Sequence, residues 1–562
     1  MYVRTVTRKA KKGDVTYLQI AHNQWDPVRK RSVPTIVASI GRADKDGIEQ
    51  LTRLAEACAR FLGTDTTTQD GLMEPSTSRP AGGVWVLDHI WRRLGLDQAV
   101  GSTRKPGPGR PRDLRATERI LFALVANRAL APSSKLAASE WMTHDVAIPG
   151  MVDHVDEDAC YRAMDWLNEM GEKFARVAYD KVTDLLNLEV DLVFFDTTST
   201  YFEIDDADED VNRDEHGNPC EVGEATSRVG FRTWGKSKDS RDDLPQIVVG
   251  MAVTRDGIPV RCWCWPGNTS DQALIRQARD DMRAWSLSRV VWVGDRGFSS
   301  TANRRELMRG GDGYILGERL RSGSVEAKAA LSRPGRYQTV AGNLMVKEVR
   351  VGSQDRFIVC LNPDQVERDQ ATRERLVVRL QDMIEGSDTW TPTKRAELKG
   401  RISTMPGLNR FLRVTSTGLL RVDKAVIDRE ADLDGKYLLR TSDPTMSAAD
   451  IAQGYKQLLE VERGWRDMKS TLELRPVFHR LEDRIRAHVT LCWLALLLIR
   501  VIETTTSMTW VRIRRETQRL HQVTYNTPDG GIHIHTKPTP SQTQIFKALQ
   551  ITDPQHITAT PV

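Results

Sequence analysis

Cysteine is scarce in this chain: Cys58, Cys160, Cys220, Cys262, Cys264, Cys360 and Cys492 are the only seven in 562 residues, and none forms a C-x-x-C pair. Cys262 and Cys264 alternate in a strand-like run, RCWCW, and point to one face, which does not resemble a zinc ligand set. An odd, scattered set excludes a disulfide framework and fits a reducing cytoplasm. There is no apolar signal region at the N-terminus. The most apolar stretch, Val489 to Ile499, is too short to cross a bilayer and reads as a buried helix, so no membrane is expected. Neither sign of charge dominates: the net charge is +5 and the pI about 8.7. That sum says little about partners, and the distribution says more.

What is present is an ordinary globular composition, 40% apolar and 28% charged. The length predicts two to four domains. Basic residues cluster at Arg4, Arg8, Lys9, Lys11 and Lys12, at Arg29 to Arg31, and from Arg463 to Arg486. An acidic block, EIDDADEDVNRDE, spans Glu203 to Glu215. Each such run is equally well a solvated face.

Residues 1–62 alternate like short strands and then turn helical, a small α+β region. Residues 63–82, rich in Thr, Ser, Pro and Gly, read as a linker. Residues 83–187 carry helical periodicity in several segments and read as a mostly helical DNA-binding region. Within it, the Gly109-Arg110-Pro111 core of GSTRKPGPGRPRD resembles an AT-hook, which lays an arginine in the minor groove of A·T-rich DNA; a basic linker is the plainer reading. From 188 to 300 the pattern is regular. LVFFDTTST, QIVVGMAVT and IPVRCWCW read as three strands, the last two joined at Asp256-Gly257. A helix capped by Ser270 or Asp271 then leads to a fourth strand, RVVWVG. Three hairpin-linked strands, then a helical crossover, is the order of an RNase H-like α/β core, with strands one and four side by side and parallel. Residues 301–445 look like a β-rich insertion, and 446–503 like the rest of the core. One helix is expected from about Ala448 to Leu474 and a second from 481 to 502. Residues 504–562 form a polar tail without clear periodicity, where His533 and His535 carry no special meaning.

Three carboxylates stand out. Asp196 ends the apolar run LVFFD, Asp295 ends VVWVGD, and Glu462 lies in the helical stretch GYKQLLEVERGWRDMKSTLEL. Hard divalent cations need only one or two carboxylates each, and a pair of ions can activate an attacking oxygen and stabilise a leaving one, so this set suits phosphodiester cleavage. On one helix, at about 100° per residue, Tyr455, Leu458, Glu462 and Lys469 fall within about 60° of each other. Val461, Trp465, Met468 and Leu472 form the apolar stripe beside them, which puts Glu462 at the edge of the buried face. Lys469 is placed to hold a DNA phosphate. A surface Glu on an amphipathic helix gives the same pattern.

Tyr455, Leu458, Glu462 and Lys469 also resemble, at full spacing, the Tyr–Arg–Glu–Lys signature of DDE transposases from bacterial insertion sequences, in the group with a β-strand insertion domain. Asp196 in FFDTTSTYF and Asp295 in VGDRGF resemble that family's first two motifs. GKSKDSRDDLPQIVVGM, WPGNTSD and ELRPVFHR are similar as well, and the likeness covers roughly residues 190 to 500. One position departs: Leu458 stands where the family has Arg, and Arg463 or Arg466 is placed to substitute in contacting DNA. The resemblance implies an enzyme that cuts at the 3′ end of its element with water, passes through a hairpin and joins the freed 3′-OH to target DNA. Asp196, Asp295 and Glu462 would be catalytic and hold two Mg²⁺ ions, with Mn²⁺ able to substitute. Lys236, Lys238 and Arg241 would line the phosphate rim, and Tyr455 would contact a phosphate or a flipped base, or else serve helix packing. The implied partners are terminal inverted repeats and target DNA, with a homodimer in the synaptic complex. The implied place is a bacterial cytoplasm, on the nucleoid, with no small-molecule substrate. Two rival readings remain: a metal-dependent nuclease of the same fold without strand transfer, and a catalytically inactive, transposase-derived DNA-binding protein.

Overall fold

The computed structural model describes residues 2–10, 13–26, 31–61, 75–101, 113–152, 154–186, 191–283, 285, 289–321, 323–352, 355–527 and 530–559. The chain divides into two compact units: Val182–Val477, and Met1–Lys181 together with Phe478–Val562.

The first of these is α/β, built on one nine-stranded sheet. Its strands are β1 (Leu192–Tyr201), β2 (Gln246–Thr254), β3 (Pro259–Pro266), β4 (Val291–Gly294), β5 (Gly313–Glu318), β6 (Gln338–Ala341), β7 (Leu344–Val351), β8 (Asp355–Leu361) and β9 (Lys436–Thr441). In space they run β6-β7-β8-β9-β5-β4-β1-β2-β3. β1, β4 and β5 are mutually parallel, and all other neighbours pair antiparallel. The expected parallel pairing of the first and fourth strands is observed. Helix α1 (Asp271–Arg283) makes the crossover between β3 and β4, as a parallel connection requires.

These strands lie where they do because they are apolar on both faces. Every residue of β2 and β4 is buried, as a central position in a covered sheet demands. Phe195 packs its ring against Trp263, Trp292 and Phe298, at 5.7, 6.3 and 5.3 Å between centroids. Each such side chain removes 150 Å² or more from water, about 3 kcal/mol or more of burial. Since strand side chains alternate faces, this anchor fixes Asp196 on the other side. The β2–β3 turn uses Gly257 at φ +75°, a left-handed conformation open to glycine at no steric cost.

The segment expected to be a separate β-rich insertion is organised differently. Its strands β5 to β9 continue the same sheet. What is inserted, between β8 and β9, is mostly helical: Pro363–Ile384, Pro392–Ser403, Pro406–Asn409 and Lys424–Ala431, with one small hairpin, Leu412–Val414 and Leu420–Val422. These helices close on their own core of Leu380, Ile402, Leu408 and Phe411. The expected single helix from 448 is also two: α2 (Ala448–Lys456) and α3 (Leu459–Ser470). At the break the amides of Gln457, Leu458 and Glu460 bond three residues back, to Gly454, Tyr455 and Gln457. That is 3₁₀ geometry, which tightens the chain and ends the α-helical register.

The second unit holds a three-stranded antiparallel sheet, Tyr2–Ala10, Gly13–Asp26 and Arg31–Arg42, and a set of helices. Leu114–Leu130 is buried over most of its length and packs on Glu482–Thr506. The latter helix was expected to complete the sheet-bearing core, yet from Phe478 the chain belongs to this unit. By length and composition it could cross a membrane, but 89% of its apolar window is buried inside the protein. The polar tail is also structured: helices Trp510–Thr517 and Pro540–Ala548, and strands His521–Thr527, Gly530–His535 and Ile557–Ala559. Its strands join Pro75–Pro80, from the expected linker, in a four-stranded sheet. Residues 63–74 of that linker lie outside the described residues. His533 and His535 serve this sheet: His533 Nδ1 bonds the Thr524 hydroxyl at 2.9 Å and His535 Nδ1 the Gln555 carbonyl at 2.8 Å.

Candidate active site

The register of β1 and β4 places the two aspartates. Val293 is level with Phe194, where the pairing ends; Asp196 lies two residues further along β1, and Asp295 two residues further along its own chain, just past the end of β4. Neighbouring strands lie about 4.8 Å apart and residues in register share a face. Asp196 has 21% of its side chain exposed, and Lys238 Nζ stands 3.9 Å from its carboxylate. The same ammonium donates to the carbonyl and hydroxyl of Thr197 at 2.7 and 2.6 Å. The Lys238 amide donates to Ser199 Oγ at 2.8 Å, which ties its loop to β1. Asp295, just past β4, caps the 3₁₀ turn Arg296–Phe298 and accepts the Gly297 amide at 2.6 Å.

Both carboxylates open into a cleft of about 1200 Å³ beyond the C-terminal ends of the parallel strands, where open α/β sheets bind ligands. Lys236, Lys238, Arg296, Arg319, Arg321 and Lys436 also line it, against Asp196, Asp295 and Glu318. Glu318 has only 5% of its side chain exposed and lies 3.7 Å from Arg304 and 3.5 Å from Arg440. The cleft is therefore basic, with a carboxylate pair inside it, and concentrates polyanions by its field. Two carboxylates lining one cleft fit a hard divalent cation, which takes oxygen ligands and keeps several waters.

Tyr455 lines the same cleft. A Cβ added at Gly317 of β5 would stand 2.5 Å from its hydroxyl, so glycine is what allows the ring this close. Its ring stacks on Tyr437, 6.0 Å between centroids. Burial first, then the charge of Asp295 and more weakly that of Glu462, pushes the phenol up to about 12. It is a neutral hydrogen-bond donor at physiological pH.

Glu462 is exposed on α3 and is not among the residues lining the cleft. Among the described residues no group of three His, Cys, Asp or Glu side chains is gathered for a metal ion. Tyr455 and Glu462 stand on separate helices, α2 and α3, though the charge of Glu462 still reaches the Tyr455 phenol. Lys469 bonds Asp239 at 3.0 and 3.2 Å; burial pulls its ammonium below the usual lysine range, against the pull of Asp239. Arg463 lies 3.7 Å from Glu460, and Arg466 is exposed on α3. Arg241 forms a two-point pair with Asp243, 2.9 Å at each contact. Leu458 is half-buried at the start of α3. Arg110 lies outside the described residues. Thus Asp196, Asp295, Lys236, Lys238 and Tyr455 meet round one cleft, while Glu462, Arg463, Arg466, Arg241 and Lys469 are not among its lining residues.

Sequence reasoning missed Arg296, Arg319, Arg321 and Lys436. A signal existed for three of them. Arg296 directly follows Asp295, and Arg319 and Arg321 directly follow β5, so they emerge where the other parallel strands end. Lys436 opens β9, whose antiparallel pairing with β5 brings its start to that edge.

Residues 225–498 match the family model of the transposase DDE domain. The match takes in just under half of the chain and supports a DDE transposase. It includes Asp295, Tyr455, Glu462 and Lys469, and Asp196 precedes it. Among solved structures the chain is similar to one titled as a piggyBac transposase synaptic complex with hairpin DNA. Identity there is 10%, coverage 77% of this chain and 78% of that one, and the TM-score 0.34, too low to carry an argument. Among curated proteins none matches. The DDE domain thus rests on the family model and on the cleft itself.

Proposed function

We propose that this chain is a DDE transposase of the Tyr-Arg-Glu-Lys group of bacterial insertion sequences, with an RNase H-like core. It binds terminal inverted repeats, cleaves DNA by metal-dependent phosphodiester hydrolysis and joins the 3′ ends to target DNA as a homodimer on the cytoplasmic nucleoid. The observation that carries this reading is the pair Asp196 and Asp295, one on β1 and one just past the end of its parallel neighbour β4, opening into one basic cleft.

Asp196 and Asp295 would hold the divalent cation, Mg²⁺ or Mn²⁺, with Glu462 as the third carboxylate. Bound there, it supplies an activated nucleophile and stabilises the leaving oxygen. The chain's own groups do the rest. Lys236, Arg296 and Arg319 are exposed on the cleft lining and hold the phosphate backbone, which positions DNA without reading its sequence. Tyr455 keeps its proton and donates to a phosphate oxygen. Lys238 offsets the charge of Asp196 before substrate arrives.

The test is a supercoiled plasmid carrying the repeats that flank the reading frame, incubated with protein and Mg²⁺. Joined products support the proposal, and intact plasmid refutes it. The position of Glu462 outside the cleft lining favours a second reading, a catalytically inactive, transposase-derived DNA-binding protein; DNA bound with neither nicks nor joined products decides for it, and nicks with no joined product decide for a nuclease without strand transfer.

A further inference from the structure

Lys238 and Asp239 are adjacent yet serve different neighbours. Lys238 lines the cleft beside Asp196. Asp239 bonds Lys469 at 3.0 and 3.2 Å, and lies 2.7 Å from the Arg475 guanidinium. Asp239 and Lys469 are 16% and 17% exposed at the side chain, and Arg475 is 27% exposed. The loop is shaped by its own bonds: the Ser237 amide to Asp242 at 2.7 Å and the Asp239 amide to Ser237 Oγ at 3.1 Å. Arg475 also lies over the Tyr201 ring, 5.2 Å from its centroid, a cation–π contact.

The charge count points to a ligand. One carboxylate between two cations leaves a unit of positive charge in a partly desolvated place, while Lys238, next along the chain, is matched by Asp196. A bond that only fastened the loop to α3 needs one cation. The surplus suits an anion that arrives with its own charge.

We propose that Lys469 and Arg475 form a phosphodiester-binding clamp preset by Asp239, a positioning residue, and that this clamp leads the DNA backbone to Lys238 and the carboxylate pair. It rests on the transposase reading given above. Asp239 holds the ammonium and the guanidinium side by side, so less side-chain freedom is lost when a phosphate binds.

The test turns on a sign. Asp239→Asn removes a negative charge, so simple electrostatics makes the variant bind DNA more tightly. The clamp instead predicts weaker binding to a duplex oligonucleotide, by about fivefold at moderate salt, because the two cations lose the charged carboxylate that orients them. Asp239→Glu recovers part of the loss, and Asp243→Asn, in the same loop, does not reproduce it. A full-length Asp239→Asn chain that binds as well as wild type, or better, overturns the clamp while leaving the transposase reading standing. A wild-type chain that binds no DNA removes both. Should Asp239→Asn not fold, Arg475→Gln tests the same clamp: the slope of log affinity against log salt shrinks by about 0.9, one phosphate contact. An unchanged slope overturns it.

Discussion

Tyr455 rests its hydroxyl against Gly317, across 138 residues of sequence, where any Cβ would stand 2.5 Å away. Gly317→Ala should therefore push the ring and α2 away from β5. The expected cost is about 1 to 3 kcal/mol of stability, the usual range for overpacking. Gly317→Ala combined with Tyr455→Phe, which removes the clashing oxygen, should recover most of it. Thermal or urea melts of the three variants check this, and equal melting of single and double variants would count against it.

Asp295→Asn should abolish DNA cleavage, by about a thousandfold or more, because a neutral amide cannot offer a charged ligand or stabilise charge in the site. It should not weaken the fold. Like charges lining one cleft repel each other, so the variant gains about 0.5 kcal/mol or less. Plasmid cleavage and a melting curve on one preparation read both effects.

Burial, together with Arg128, pulls the Lys135 ammonium down from 10.5 to about 8. The unfolded chain then binds more protons than the folded one between about pH 8 and 10.5, so stability rises with pH over that window. At pH 7 the buried charge costs about 3 kcal/mol. Lys135→Met should be more stable than wild type at pH 7 and should lose this rise. Urea melts at pH 7, 9 and 10 would show parallel curves for the two proteins if the ammonium were not desolvated.

Arg119 lies buried against Glu118 and Asp88, reaching Asp88 at 2.7 Å, and the Trp91 indole donates to Glu118 at 2.8 Å. Arg119→Met leaves Glu118 without its cation and Asp88 with only the half-exposed Arg92. The loss should be about 3 to 5 kcal/mol, typical of breaking a buried pair by one partner. Arg92→Met, which removes a half-exposed partner of Asp88, should cost under about 1 kcal/mol.

The parts of this molecule legible in its sequence are those whose partners are close in the chain. LVFFD and VVWVGD announce central strands because both faces must be apolar, and Asp256-Gly257 announces its hairpin. Asp196 and Asp295 follow, since each ends such a run. What could not be read depends on distant partners or on unmarked geometry. PSTSRP has no strand-like alternation, and its ladder comes from His521–Thr527 at the other end of the chain. The strands after Asp295 look like a separate domain until their pairing with β5 is seen. The break at Gln457 carries no glycine or proline, so the wheel through Tyr455 and Glu462 looked continuous. The pairing of Asp239 was hidden because its partners, Lys469 and Arg475, lie over two hundred residues away.

The unit formed from both ends of the chain has a consequence for synthesis. The strand Pro75–Pro80 and the helix Leu114–Leu130 emerge from the ribosome long before His521–Thr527 and Glu482–Thr506 exist to cover them, whereas Val182–Val477 can close on itself as it appears. The residues up to Lys181 must wait, apolar surface uncovered, until the segment from Phe478 onward has been made. A premature stop after residue 477 would spare the residues of the cleft and still strip that earlier segment of its partners.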